Sequence, residues 1–185
     1  MSRVLGLVGS GAGGVHELVP RVIRPAQEAG WVVAVTLTPT AGRWLRESGT
    51  LTEIEEVSGF PVRVDSRLAG ERSPHPLVDC YLVAPASANM VAKLALGIAD
   101  NQALTQVSEA MGIGDLPVVV FPRVNAAHAR HPSWEGHLAA LRRAGVHLVY
   151  GEDVWPLHEP GSAPGRELPW SAVLDAVNAA VPAER

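Results

Sequence analysis

Cysteine is almost missing from this chain, because Cys80 is the only one among its 185 residues. A single cysteine cannot build an internal disulfide framework, so a cytoplasmic setting is the simpler expectation. A strong charge of one sign is missing as well: the formal net charge of −4 excludes the basic surface that is typical of nucleic-acid binding. The sequence also has no apolar run as long as a membrane span or the core of a signal peptide. We therefore expect a cytoplasmic protein that binds neither nucleic acid nor membrane.

The length and the 47% hydrophobic content fit a single globular domain over residues 1–185. Short apolar runs predict strands at Val4–Val8, Trp31–Leu37, Phe60–Val64, Cys80–Ala84, Pro117–Phe121 and Val146–Tyr150. Helical patterns lie between these runs; the first ends near Ala29, and the last covers Trp170–Ala180. This alternation predicts an α/β fold, a Rossmann-like (flavodoxin-like) doubly wound parallel sheet.

A glycine-rich turn, Gly9–Gly14, follows the first predicted strand and fits the spacing G-x-G-x-x-G. A dinucleotide site would also need an acidic residue at the end of the second strand, but Thr38 and Thr40 follow that strand instead. Backbone amides at a helix start, together with the hydroxyls of Ser10, Thr38 and Thr40, suit a terminal phosphate. The alternative is that the glycines only permit a tight strand-to-helix turn.

The most specific stretch is Ala84–Asn101, in which a strand leads through small residues into a helix. A flat ring could lie against such a turn, and Ser87 and Asn89 add hydrogen-bonding groups at the helix start. The stretch resembles the Pro-Ala-Ser-Ala-Asn signature of the flavin-containing cysteine decarboxylases, including the trailing Gly-x-x-Asp-Asn at Gly97–Asn101. That family contains phosphopantothenoylcysteine decarboxylase and the enzymes that oxidatively decarboxylate C-terminal peptidyl cysteines.

The resemblance implies FMN rather than FAD or NAD as the cofactor. It places the cofactor contacts on Gly9, Ser10, Thr38, Thr40, Ala84, Pro85, Ala86, Ser87, Ala88, Asn89, Asp100 and Asn101. It also implies a homo-oligomer, a trimer or a dodecamer, with the flavin at subunit contacts.

A second polar stretch, Phe121–His128, follows the predicted strand that ends at Phe121. It resembles the family pattern Pro-x-Met-Asn-x-x-Met-Trp, in which Pro122 and Asn125 match, Val124 replaces the first Met, and His128 stands in the Met-Trp pair. The resemblance implies that Asn125 binds the substrate carboxylate, beside Pro122, Val124 and His128. The alternative is a polar turn that favours Asn for its backbone angles.

The catalytic base is harder to place. The family carries a His eight residues before the Asp that matches Asp79, and Glu71 occupies that position here. His75 lies four residues further along, and a short loop deletion would bring it to the same place. A histidine titrates near neutral pH, which suits a general base, although a His in a polar loop is commonly a solvated surface residue. No His-x-x-x-His pair lies on one clear helix with an acidic partner, and His128 and His131 flank a turn, so no metal is expected.

The loop over residues 151–169 resembles the substrate flap of the family, and its end, Gly165–Pro169, is similar to Gly-Arg-Met-x-Glu-Pro. In the pantothenate enzyme that flap carries a cysteine, which serves as an acid when the enethiol is reduced. Here the flap offers His158, Glu159 and Glu167 but no thiol, while Cys80 lies in an apolar strand, where we expect an inert thiol.

The resemblance therefore implies FMN-dependent oxidative decarboxylation of a cysteine carboxylate, which gives an enethiol. The substrate would be the C-terminal cysteine of a peptide or a small cysteine-containing carboxylate. Two alternatives stay open: the reductive phosphopantothenoylcysteine reaction of coenzyme A biosynthesis, and a non-catalytic subunit that binds FMN.

Overall fold

A computed structural model describes residues 2–68, 70–162 and 165–181. Residues 1, 69 and 182–185 of the predicted domain, and residues 163 and 164 of the predicted flap, lie outside the described ranges. The strands are β1 (Arg3–Gly9), β2 (Trp31–Leu37), β3 (Cys80–Ala86), β4 (Val118–Pro122) and β5 (His147–Leu148). All are parallel, in the order β2-β1-β3-β4-β5. The predicted α/β, doubly wound parallel sheet is confirmed.

Helices cover both faces of this sheet. They are α1 (Arg24–Glu28), α2 (Pro39–Glu47), α3 (Thr50–Ser58), α4 (Ala88–Leu96), α5 (Gln102–Ile113), α6 (Ala126–Ala129), α7 (Trp134–Arg143) and α8 (Trp170–Ala180). One core cluster joins α1, α2, α3 and α8 to the strand residues that point to one face, such as Leu5 and Leu7. A second joins α4, α5 and α7 to residues of the other face, such as Val83 and Val120. Strand side chains alternate between faces, so each parallel strand is apolar on both.

Two predicted elements differ from the structure. The helix predicted up to Ala29 consists of a 3₁₀ turn (Val15–Glu17), a π-helical turn (Val19–Ile23) and the short α1. Pro20 and Pro25 lack the amide proton that a continuous α-helix would need at those positions.

The strand predicted over Phe60–Val64 is wrong, because only a single bridge between Thr36 and Arg63 forms. Pro61 has no amide proton, and the amide of Val62 donates to a carboxylate oxygen of Glu55 at 2.9 Å, so the ladder cannot extend.

The strand order places a crevice at the carboxyl edge of the sheet. β1 lies between β2 and β3, and the chain leaves β2 and β3 toward opposite faces of the sheet. Gly9 pairs with Leu37, and Val8 pairs with Val83, so the three strands end at the same edge. In sheets of this order the ligand crevice opens at such a switch point, between the first and third strands.

Candidate functional site

A cleft of about 750 Å³ opens at this edge, a size typical of small-molecule sites. It brings together predicted site residues from five separate connections between secondary-structure elements. They are Ser10, Thr38, Thr40, Ser87, Ala88, Asn89, Asp100, Asn101, Val124, Asn125 and His128.

Ser10 joins two of these turns. Its side chain is 1% exposed, and its hydroxyl donates to the carbonyl of Pro85 at 2.7 Å and accepts from the amide of Ser87 at 2.8 Å. The amide of Ser10 also donates to Pro85, at 3.1 Å. The expected role of this hydroxyl as a phosphate donor needs correction, because its one proton is already donated to the β3 turn.

The threonines lie on the other side of the glycine turn. Thr38 caps α2, because its Oγ1 accepts from the amide of Ala41 at 3.4 Å, and this leaves its own hydroxyl proton for a ligand. Thr40 packs against Gly11 so closely that a Cβ there would lie 2.7 Å from its Cγ2. In the first turn of α2, Pro39 has no amide proton and the amides of Ala41 and Gly42 donate to Thr38, so Thr40 supplies the one backbone amide there without a hydrogen-bond partner among the described residues. The arrangement suits a phosphate group, bound by amides and hydroxyls.

The start of α4 forms the floor of the cleft. Ser87 caps this helix by accepting from the amide of Met90 at 3.2 Å. Asn101 caps α5 through the amide of Leu104 at 3.1 Å, and its own amide group donates to Asp100 at 3.2 Å. The side chain at the first position of α4, Ala88, is small, and the placement of a flat ring against this turn stays a prediction.

Five predicted site residues lie beneath the cleft rather than in its lining. Gly9, Ala84, Pro85, Ala86 and Pro122 are buried within β1, β3 and β4. A Cβ at Gly9 would lie 2.8 Å from Cδ2 of Leu37, so the close packing of β1 and β2 requires glycine at this position. These residues shape the floor through the backbone.

Asn125 stands where β4 turns into α6. Its Oδ1 accepts from the amide of His128 at 3.0 Å and lies 3.2 Å from Nδ1 of the same histidine. Because Oδ1 is engaged in this cap, Nδ2 is the group that Asn125 can offer to an anion in the cleft.

His75 does not line the cleft. It lies in a second cavity of about 320 Å³ over β1 and β2, beside Arg63 and Tyr81. Its Nε2 is 2.8 Å from the carbonyl oxygen of Pro61, and burial lowers the pKa of the imidazole. Further along the loop, Asp79 accepts from the amide of Val4 at 2.7 Å, which anchors the loop away from its own cleft. The role of His75 as a catalytic base stays a prediction.

Among the lining residues that the sequence-based site assignment did not include, three carry basic or titratable side chains: Lys93, Arg123 and His158. Lys93 forms an ion pair with Asp100. His158 lies edge-on to Trp155, and its Nδ1 is buried without a hydrogen-bond partner among the described residues. Lys93, in the last turn of α4, is only seven residues from Asp100 in the loop that follows this helix, whereas the flap position of His158 depends on long-range packing.

The other candidate acids of the flap point elsewhere. Glu159 pairs with Arg130, and Glu167 pairs with Arg21. Within residues 2–68, 70–162 and 165–181, no cluster of His, Cys, Asp and Glu could hold a metal ion. No helix in the same part of the chain is long and apolar enough to cross a membrane.

Residues 2–181 match the family described as Flavoprotein. The chain belongs to this family. Its match covers the glycine turn, the Ser87 turn and the Asn125 turn together. The predicted family resemblance and the predicted flavin are thereby confirmed.

Two curated relatives are similar to part of the chain. A cysteine/cysteine sulfinic acid decarboxylase from an unknown prokaryotic organism is 37% identical over 84 residues, which are 45% of this chain and 20% of the relative. The coenzyme A biosynthesis bifunctional protein CoaBC of Thermococcus kodakarensis is 30% identical over 134 residues, 72% of this chain and 32% of that protein. The chain thus spans about a fifth and a third of their lengths.

Solved structures match over nearly the whole chain. The FMN-dependent cysteine decarboxylase TvaF from thioviridamide biosynthesis is 25% identical, with a TM-score of 0.70 over 96% of this chain and 98% of that one. The cypemycin decarboxylase CypD is also 25% identical, with a TM-score of 0.65 over 96% and 92%. The FMN-binding protein AtHal3, at 18% identity, shares the fold with a TM-score of 0.70 over 100% of both chains. FMN, the form of flavin predicted from the sequence, is the form named for TvaF and AtHal3.

Proposed function

We propose that the chain binds FMN and oxidatively decarboxylates a cysteine carboxylate, with the C-terminal cysteine of a peptide as the substrate. One observation carries this proposal: a phosphate-type turn, a small-residue helix start and the Asn125 amide all line one cleft. The likeness to TvaF and CypD supports the reaction class.

The residues divide into a phosphate side and a substrate side. Amides of the glycine turn and the hydroxyls of Thr38 and Thr40 hold the FMN phosphate, and the start of α4 at Ser87 supports the ring. When bound, FMN would supply the two-electron oxidation of the substrate. Nδ2 of Asn125 donates to the substrate carboxylate, which fixes the cysteine in the cleft and leaves α6 capped.

The absence of a thiol acid favours the oxidative outcome. The only cysteine, Cys80, is fully buried in β3, where burial and then the charge of Asp79 raise its thiol pKa to about 12. A thiol in this position neither reaches the cleft nor donates a proton at neutral pH. Reduction of an enethiol needs a placed acid, so its product is not expected.

One observation favours a second candidate, the reductive decarboxylation of phosphopantothenoylcysteine. His158 lines the cleft, its buried Nδ1 has no hydrogen-bond partner among the described residues, and histidine is a residue type that serves as a general acid in place of a thiol. The partial match to CoaBC belongs to the same alternative.

Assembly of several copies would explain the position of His75. We propose a homo-oligomer, a trimer or a dodecamer, in which the loop of His75 from a second copy completes the cleft. Its anchoring away from the cleft of its own chain, through Pro61 and Asp79, supports a role in trans.

The deciding experiment is product mass. The FMN-loaded protein is incubated in air with a peptide that ends in cysteine, and the same peptide with a C-terminal carboxamide is the control. We expect a loss of carbon dioxide and two hydrogens, about 46 Da, with oxygen consumed. A loss of about 44 Da without oxygen use would instead establish the reductive reaction. A yellow protein that converts neither this peptide nor phosphopantothenoylcysteine would support the non-catalytic alternative.

A further inference from the structure

The cleft is lined by one long basic side chain that forms no ion pair with a carboxylate of the described residues. Two long basic side chains line it, Lys93 and Arg123. Lys93 forms an ion pair with Asp100, whereas no carboxylate among the described residues lies within salt-bridge distance of Arg123. Buried or half-buried charges in proteins are normally paired, so an unpaired guanidinium in a cleft points to an anionic ligand.

Arg123 is held in a defined place. Its backbone amide donates to the carbonyl of Ala86 at 2.8 Å, and its guanidinium carbon lies 4.7 Å from the ring centroid of Trp155. The Nε atom is buried and has no partner among the described residues. Nη2 would lie 3.3 Å from a Cβ at Gly13, so the absence of a side chain there makes room for the guanidinium. Burial, and next the charge of Arg166, lower the pKa of this group, but an arginine stays protonated at neutral pH.

The glycine turn Gly9–Gly14 lies between two places where an anion could bind, one beside Thr40 and one beside Arg123. Gly11 faces Thr40 on the side that suits the FMN phosphate, whereas Gly13 faces Arg123. Arg123 and Asn125 lie two residues apart in the segment that joins β4 to α6, and both line the cleft. The guanidinium is therefore close to the residue proposed to bind the substrate.

We propose that Arg123 binds the carboxylate of the substrate together with Nδ2 of Asn125, which makes this site selective for a free carboxylate. The assignment rests on the proposed function for the identity of the substrate. A guanidinium presents several donors in a fixed fork that matches a carboxylate, and the neutral Asn125 amide alone does not discriminate a carboxylate from a carboxamide as strongly.

The chemistry predicts how this contact acts. The carboxylate is charged when the substrate binds and leaves as neutral carbon dioxide, so the attraction to Arg123 is greater in the ground state than in the transition state. Loss of Arg123 should therefore raise KM, with kcat unchanged or higher, whereas loss of a residue that acts in the transition state would lower kcat.

The binding test uses probes that cannot be oxidised at sulfur. N-acetyl-L-serine carries the carboxylate, N-acetyl-L-serinamide lacks it, and each is titrated into FMN-loaded protein with flavin fluorescence or calorimetry as the signal. Arg123→Met keeps most of the side-chain length without the charge, and Arg123→Lys keeps the charge without the fork. Arg166→Met is the matched control, because Arg166 also lies over Trp155, at 4.3 Å, but does not line the cleft.

We expect Arg123→Met to raise the Kd of N-acetyl-L-serine by at least about tenfold, as for loss of a hydrogen bond to a charged group. The Kd of N-acetyl-L-serinamide should stay unchanged. Arg123→Lys should give an intermediate loss, and Arg166→Met should give none. Riboflavin and FMN affinities, measured on the same variants, should stay as in the wild type.

Other outcomes would overturn the assignment. Equal weakening of both probes would mean that Arg123 only supports Trp155 and the flap, and selective loss of FMN over riboflavin would place the phosphate at Arg123. A wild-type protein that does not prefer the carboxylate probe would also exclude the proposal. None of these readings depends on turnover, so failure to find oxidised product would count against the proposed reaction and leave this result intact.

Discussion

The side chain of Asn125 has two ends with different tasks, and two substitutions separate them. Oδ1 caps α6 by accepting from the amide of His128 at 3.0 Å, and Nδ2 is proposed to donate to the substrate. Asn125→Ala removes both groups. Asn125→Asp keeps the acceptor for the cap but replaces the donor with a carboxylate oxygen.

The two effects differ in size. Loss of an N-cap costs about 1 kcal/mol, or about 2–4 °C in Tm for a chain of this length, and a helix as short as α6 favours the lower end. Loss of a hydrogen bond to a charged substrate costs about 1.5–3 kcal/mol, so kcat/KM should fall by about 10- to 150-fold. Asn125→Asp should keep the Tm close to that of the wild type but lose more activity than Asn125→Ala, because two carboxylates would face each other.

The assay pairs thermal unfolding of the FMN-loaded variants with kcat/KM for a peptide that ends in cysteine. The carboxylate assignment is refuted if Asn125→Asp turns over this peptide as well as the wild type does. Loss of FMN from either variant would show that Asn125 supports the cofactor rather than the substrate.

Three further outcomes are expected. Gly11→Ala should weaken FMN in fluorescence titrations, because the new Cβ would lie 2.7 Å from Cγ2 of Thr40, and adding Thr40→Ser should restore affinity by removing that methyl group. Co-expression of His75→Ala with Asn125→Ala should give more activity than either variant has alone, whereas activity no higher than that of Asn125→Ala would argue against a base supplied by a second copy. Cys80 should resist a thiol reagent at pH 8 in the folded protein and react after unfolding, since burial raises its thiol pKa to about 12.

Local signals predicted most of the fold. The β-branched run Trp31–Leu37 has the same limits in sequence and structure, and so does the last helix, Trp170–Ala180. Strand ends and helix starts are close in the sequence, so the turns that carry Thr38 and Ser87 could be assigned to one edge.

The positions of other residues depend on contacts between distant parts of the chain, which the sequence does not reveal. The location of His75 depends on a loop tied to Pro61 and, through Asp79, to the start of β1, which no spacing in the sequence reveals. His158 reaches the cleft because the amide of Ala126 donates to its carbonyl at 2.9 Å and the flap residue Trp155 packs on Phe121. The signal for Arg123 was present in the sequence, as a charged residue inside the motif, but its exposure to the cleft required the structure.

The hydroxyl of Ser10 couples the binding of the phosphate of a cofactor to the binding of its ring system. This buried hydroxyl joins the glycine turn Gly9–Gly14, on the proposed phosphate side, to the turn Pro85–Ser87, on the proposed ring side, through two hydrogen bonds. Displacement of either turn must break or stretch those bonds, so the two halves of the cofactor meet one shared element instead of two independent subsites. The affinities of a flavin without phosphate and of free phosphate should therefore not combine additively into that of FMN, and removing this one hydroxyl should bring them closer to additivity.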